Sequence, residues 1–177
     1  IVIEKNLQGA FMVPTEVLAE QHYNNLLKYL NPLLVSIELL TGNTPQKKRK
    51  EILSNLRNGL VDIIVGTHAL FEDKVIFNAL GMVVIDEQHR FGVTQRNRLL
   101  NKGENTNLLS MTATPIPRTL ALSIYGDLDV SQITELPPGR VPITTKIISE
   151  DYLTNLFKIV EDEITKGRQA YVILPLI

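Results

Sequence analysis

Short apolar runs alternate along this chain with longer stretches whose apolar residues recur at helical spacing. AFMV (10–13), VSIELL (35–40), VDIIV (61–65), MVVI (82–85), NLLSM (107–111) and DVSQIT (129–134) are four to six residues long, and several are apolar on both parities. That pattern predicts strands covered on both faces. Between them, Thr15 is placed to cap a helix over Glu16–Leu30, on which Leu18, Leu26, Leu27 and Leu30 share a face. Thr44 and Pro45 predict a second helix start, and Asn58-Gly59 its end. Further helices are predicted over Thr94–Lys102 and Pro117–Tyr125. Strand and helix in alternation predict an α/β fold, an open and mostly parallel sheet with helices on both faces. In such a sheet, ligands sit at the carboxyl ends of the strands.

The two ends of the chain read differently. IVIEKNLQGA looks like the last turns of a helix that ends near Gly9 with no cap before it, so the chain is expected to be truncated at its N-terminus, inside an element. ELPPGRVP (135–142) packs three prolines and a glycine into eight residues, the composition of an exposed connector. Beyond it come a predicted strand (143–149), a helix (150–166) and a strand in QAYVILPLI. One strand–helix–strand unit cannot bury both faces of a sheet. The expected organisation is therefore a first domain over 1–135, a linker over 136–142 and the beginning of a second domain over 143–177.

Composition narrows the function classes. A hydrophobic content of 44% suffices for a sizeable core, and a net charge of −1 does not advertise nucleic acid or an anionic membrane, so any such binding must be local. The absence of cysteine excludes disulfides and thiolate metal sites and makes a reducing cytoplasm the default compartment. No apolar run approaches the roughly 18 residues of a membrane span, so no membrane partner is expected.

The candidate chemistry centres on GMVVIDEQHRFGV (81–93), where a buried strand stops on two adjacent carboxylates. Asp86, at the carboxyl end of that strand, suits Mg²⁺, which takes one or two carboxylates and keeps several waters. Glu87 is placed to accept a proton from an attacking water, as a general base in nucleotide hydrolysis would. Taken alone, the dipeptide also reads as a polar turn. A metal hydrolase using Asp86, His89 and either His68 or His22 is a further alternative. The surroundings favour the nucleotide reading. SMTATPIPRT follows one strand with the hydroxyls of Ser110, Thr112 and Thr114; PTEVLAEQH, TG and GTHAL follow three others. QKKRKE adds four bases at 47–50, which fit a phosphate-facing patch and a solvated helix face equally well.

In order and wording, PTEVLAEQH, TG, GTHAL, DEQH and SMTATP resemble motifs Ia, Ib, II (the DEAH/DExH box) and III of superfamily-two helicases, whose motor is a pair of RecA-like domains of the P-loop NTPase type. VVIDEQHRFGVTQR and TATPIPRTLALSIYGDLDVSQITELPPGR are similar to the RecG family, bacterial ATP-dependent DNA helicases that remodel branched DNA and stalled forks in recombination and repair. The Mfd family of transcription-repair coupling translocases stands second and PriA further off. The resemblance covers nearly the whole chain. It implies ATP and Mg²⁺ as cofactors, with Asp86 holding Mg²⁺ through water and Glu87 orienting the hydrolytic water. Gln88 and His89 complete the nucleotide site and are implied to link it to Thr112 and Thr114, and Ser110, Thr112, Ala113 and Thr114 couple it to the track. Pro14, Thr15, Thr41, Gly42, Thr67 and His68 are implied to touch the phosphate backbone of branched or forked DNA, contacts that carry no base information.

One departure changes the expectation for the chain itself. The phosphate loop G-x-x-x-x-G-K-[ST] occurs nowhere in these residues, and the arginine finger expected from a second motor domain is also absent. The chain alone is expected to hydrolyse little ATP and to need the missing remainder of the same protein as its partner. A dimer of it is read as an artefact of uncovered apolar surface. The rival from another class is a non-catalytic RecA-like binding module with vestigial carboxylates.

Overall fold

The computed structural model describes residues 2–113, 129–135, 137, 139–141 and 143–174. The chain divides into two compact units, Ile1–Leu128 and Asp129–Ile177. In the first, the elements follow as β1 (Gln8–Met12), α1 (Glu16–Leu30), β2 (Ile37–Leu40), α2 (Gln46–Arg57), β3 (Ile63–Gly66), β4 (Leu80–Ile85), α3 (Val93–Leu100) and β5 (Asn107–Ser110). The five strands form one sheet in the order β2-β3-β1-β4-β5, and every neighbouring pair is parallel.

Alternation along each strand sorts side chains between two cores. Ala10, Met12, Ile64, Val83 and Ile85 face Ile52 and Leu56 of α2, Leu99 of α3 and the turn at Ala69–Phe71. On the other face, Phe11, Val13, Ile63 and Val65 meet Leu18, Ala19, Leu26, Leu27 and Leu30 of α1. Helices thus cover both faces, as the doubly apolar strands require. Met12, Ile64 and Ile85 are fully buried, each contributing about 1.5–3 kcal/mol by leaving water.

Helix α1 forms as its sequence predicts: the Thr15 hydroxyl accepts from Leu18 N at 3.3 Å. Helix α2 starts differently. Pro45 occupies the N-cap with no side-chain cap bond, because the Thr44 hydroxyl accepts instead from Thr41 N at 2.9 Å and closes the preceding turn. Its end is as expected, at Asn58 followed by Gly59 with φ +73°. Helix α3 is shorter than predicted and begins on Val93.

The first residues correct a prediction. Only Ile3–Lys5 makes a helical turn, of the 3-10 type, and Asn6 ends it with φ 56°. Strand β1 has already begun at Gln8, because Gly9 aligns with Ile63 on one side and Met82 on the other. Ladder bonds to two neighbours outweigh continuation of a helix.

Among the described residues of the second unit, the predicted helix forms as α4 (Leu153–Thr165), preceded by a 3-10 turn at Glu150–Tyr152. Residues 129–134, 143–149 and 169–174, all expected as strands, have no regular structure. Their apolar side chains are exposed, Ile133, Ile147 and Ile173 among them. A strand exists only through a paired neighbour, and none of the described residues supplies one. The helix predicted over 117–125 and the last residues, 175–177, lie outside the described residues.

Candidate nucleotide and nucleic-acid site

All five strands point the same way, so the loops at their carboxyl ends line up along one edge of the sheet. Pro14 and Thr15 come after β1, Thr41 and Gly42 after β2, Thr67 and His68 after β3, Asp86–His89 after β4, and Met111–Ala113 after β5. The edge therefore has a half built on β4 and β5 and a half built on β2 and β3, with β1 between them.

On the first half, the ladder continues past the strand ends and fixes the carboxylate turn. Asp86 N donates to Met12 O at 2.9 Å, Met111 N to Ile85 O at 2.8 Å, and Gln88 N to Met111 O at 3.2 Å. The Asp86 carboxylate accepts from Glu87 N through Oδ1 at 2.9 Å and meets His22 Nε2 through Oδ2 at 3.0 Å. Glu87 has φ 51° and ψ 47°, a left-handed conformation that a residue with a side chain adopts at a cost. That backbone turns Glu87 away from the strand direction, and its Oε2 lies 3.3 Å from His89 Nδ1. Gln88 is buried, and its Oε1 accepts from Arg96 of α3 at 3.3 Å. Gln88 thus joins the carboxylate turn to the residue before Thr112, whereas His89 turns to Glu87. Ser110 Oγ is buried with no hydrogen-bond partner among the described residues. Thr112 is half-buried and Ala113 exposed, and Thr114 lies outside the described residues.

On the second half, exposure separates the candidates. Thr15, Gly42 and His68 are exposed and Pro14 is half-buried. Thr41 and Thr67 are buried, Thr67 at 1% exposure, and the Thr67 hydroxyl has no partner among the described residues. Glu16 of α1 ties this half together, since its carboxylate accepts from Asn43 N at 3.2 Å and from Asn43 Nδ2 at 2.5 Å. The basic run is only partly available. Arg49 donates to Thr41 O at 3.1 Å and to Glu72 Oε1 at 2.6 Å, and Lys48 sits 3.8 Å from Glu38. Lys47 and Lys50 remain as exposed cations in a run read as four.

Among the described residues no group of three or more His, Cys, Asp or Glu is placed to hold a metal ion. The histidine-rich metal-hydrolase alternative therefore has no site: His22 and His89 each meet a different carboxylate. Both carboxylates are hard oxygen donors with partly exposed side chains, 21% for Asp86 and 29% for Glu87, a donor set that fits Mg²⁺ held largely through water.

The profile of the DEAD/DEAH box helicases matches residues 2–122. The chain belongs to that family.

Among its relatives, this helicase chain is 54% identical to the ATP-dependent DNA helicase RecG of Synechocystis over 175 residues, 99% of the chain and 21% of that protein. It is 54% identical to the RecG of Bacillus subtilis over 170 residues, 96% of the chain and 25% of that protein. The chain thus spans about a fifth to a quarter of the length of these relatives. A solved structure of RecG bound to a three-way DNA junction is similar over 97% of the chain and 23% of its own, with 44% identity and a TM-score of 0.79. A more distant likeness, to the helicase MrfA bound to DNA at 19% identity and a TM-score of 0.56, bears on the fold alone. The fold is RecA-like, an α/β sheet of five parallel strands with helices on both faces.

Sequence reasoning on this DEAD/DEAH box helicase gave no supporting role to three residues, one of which, Arg49, it read as part of a phosphate-facing patch. Glu16, Arg49 and Arg96 each hold a turn that carries candidate site residues. Glu16 and Arg49 stood in plain view beside recognised motifs, but which face of a helix meets which loop is decided by tertiary packing.

Proposed function

We propose that this chain is part of the motor of an ATP-dependent DNA helicase that remodels branched DNA and stalled forks in the bacterial cytoplasm, in recombination and repair. The observation that carries the proposal is the adjacent pair Asp86 and Glu87, one bonded by His22 and the backbone N–H of Glu87, the other held left-handed at the carboxyl end of a central parallel strand. Nothing in packing requires two such carboxylates there, which weighs against a vestigial binding module. The names of the relatives support the RecG reading over a translocase of the Mfd type.

In this reading Asp86 holds Mg²⁺ through water, and Gln88 and His89 line the nucleotide. When bound, Mg²⁺ neutralises charge on the ATP phosphates. Glu87 accepts the proton of the attacking water, a role that contributes about 10²–10⁴-fold. Gln88, through Met111, places the turn beside Ser110, Thr112 and Ala113, which with Thr114 pass the nucleotide state along the sheet edge. On the other half of the edge, Pro14, Thr15, Gly42 and His68 offer backbone and side-chain contacts to phosphates, and buried Thr41 and Thr67 set the shape of the turns that do so. Residues 1–177 contain no G-x-x-x-x-G-K-[ST] sequence, so turnover by this chain alone is expected to be slight.

The test is Glu87→Gln in the full-length protein. Turnover of ATP is expected to fall by about 10²–10⁴-fold, with Mg²⁺-dependent binding of a non-hydrolysable analogue retained. Unchanged turnover would overturn the proposal, and robust DNA-stimulated hydrolysis by residues 1–177 alone would overturn the expectation that this chain by itself turns over little ATP.

A further inference from the structure

The sheet-facing side of α1 is apolar at Leu18, Ala19, Leu26, Leu27 and Leu30. His22 lies one helical turn from both Leu18 and Leu26, on that same side, where leucine would extend the stripe. Its ring packs on Phe11 of β1, with centroids 4.6 Å apart and planes at 32°, and its Nε2 ends 3.0 Å from Asp86 Oδ2. An ionised carboxylate only accepts, so the hydrogen bond needs a proton on Nε2.

We propose that His22 is a positioning residue for Asp86, fixing the carboxylate so that its remaining lone pairs face the waters of the nucleotide-bound Mg²⁺. This rests on the reading of Asp86 given under Proposed function. The geometry favours it on three counts. Asp86 Oδ1 is held by Glu87 N and Oδ2 by His22, so both oxygens are anchored and the carboxylate plane cannot turn freely. The anchor is itself fixed, because Ala19, one turn before His22, is fully buried against the sheet, and the Phe11 ring limits rotation of the imidazole. The contact spans 64 residues of sequence between α1 and the turn after β4, so local chain preference does not supply it. Partners of a metal's own ligands commonly contribute 10–100-fold to metal affinity, and because Asp86 reaches Mg²⁺ through water the contribution of His22 is expected at the low end of that range.

The experiment is an equilibrium titration with Mg²⁺, in the full-length protein, of binding of a fluorescent non-hydrolysable ATP analogue. Melting without Mg²⁺ is recorded beside it. His22→Leu keeps the apolar stripe and removes the donor; it is expected to raise half-saturating Mg²⁺ by about tenfold and to leave melting unchanged. His22→Gln places an amide donor near the position of Nε2 and is expected to restore most of the affinity. A His22→Leu titration like that of the wild type, or His22→Gln as impaired as His22→Leu, would overturn the positioning role. Asp86→Asn separates the two readings. If Asp86→Asn binds with unchanged Mg²⁺ dependence, the assignment of Asp86 fails; if it is impaired while His22→Leu is not, only the role of His22 fails.

Discussion

The two ends of the same five strands are built to opposite standards. At the amino end, no buried polar side chain among the described residues lacks a partner. Gln8, buried at the start of β1, donates through Nε2 to Leu56 O at 2.9 Å and Val61 O at 2.7 Å, and accepts through Oε1 from Asn78 N at 2.7 Å and Ala79 N at 3.0 Å. Lys102 Nζ donates to Glu72 O and Val75 O, both at 2.8 Å, and Asp62 Oδ2 accepts from Ser36 N at 2.8 Å. At the carboxyl end, the Thr67 and Ser110 hydroxyls are buried without a partner among the described residues. One end commits its polar groups to holding strands together. The other leaves two buried hydroxyls uncommitted where ligands of a parallel sheet bind.

The sharpest way to break this contrast is at Gln8. Gln8→Ala removes the side-chain partner of Val61 O and of the Asn78 and Ala79 N–H groups, and one of the donors to Leu56 O, and is expected to destabilise the chain by about 2–4 kcal/mol, measured by urea unfolding. A loss of less than about 1 kcal/mol would mean that water replaces the amide easily and that the amino end is no better satisfied than the other. Gly66 tests how tightly the carboxyl end is packed beneath its loops. A Cβ there would run into the backbone oxygen of Leu40 and the Leu70 side chain, so Gly66→Ala is expected to cost about 1–3 kcal/mol by the same measurement. Thr67→Val should behave in the opposite sense, neutral or stabilising by up to about 1 kcal/mol, because it removes a buried hydroxyl that has no partner among the described residues. Destabilisation would show that the hydroxyl is in fact satisfied.

The smallest effect is one of pH. Burial pushes the Lys102 ammonium below the ordinary lysine range, with the charge of Asp73 opposing. The unfolded chain then holds the proton more strongly than the folded one, so stability should rise with pH through the window between the lowered value and the ordinary one. Lys102→Met should flatten that rise in unfolding curves taken at successive alkaline pH values.

Legibility in the sequence followed how local each decision was. Thr15 and the leucines of α1 settle within one helix, and the doubly apolar runs over β3 and β4 state their burial outright. The order of the site motifs was readable because parallel strands carry consecutive loops to one edge. The strands expected over 143–149 and 169–174 were not, since apolar alternation proposes a strand and only a neighbour makes one. Thr41 and Thr67 look like any surface hydroxyl in the sequence; their burial comes from α2 and from the turn after β3. Gln8 was equally hidden, a polar residue in a stretch read as helix, whose four partners lie 48 to 71 residues away.

Those separations carry a kinetic meaning. The Gln8 amide is satisfied only after β1, the segment leading into β3 and the segment leading into β4 have all met, so its bonds are expected to form late in assembly, an expectation that folding kinetics tests. Contacts absent from the folding transition state govern the rate of escape from the native basin. Gln8→Ala should therefore steepen the loss of the folded chain with time, through faster unfolding, while its refolding limb stays nearly that of the parent: this one side chain acts as a latch on the lifetime of the fold.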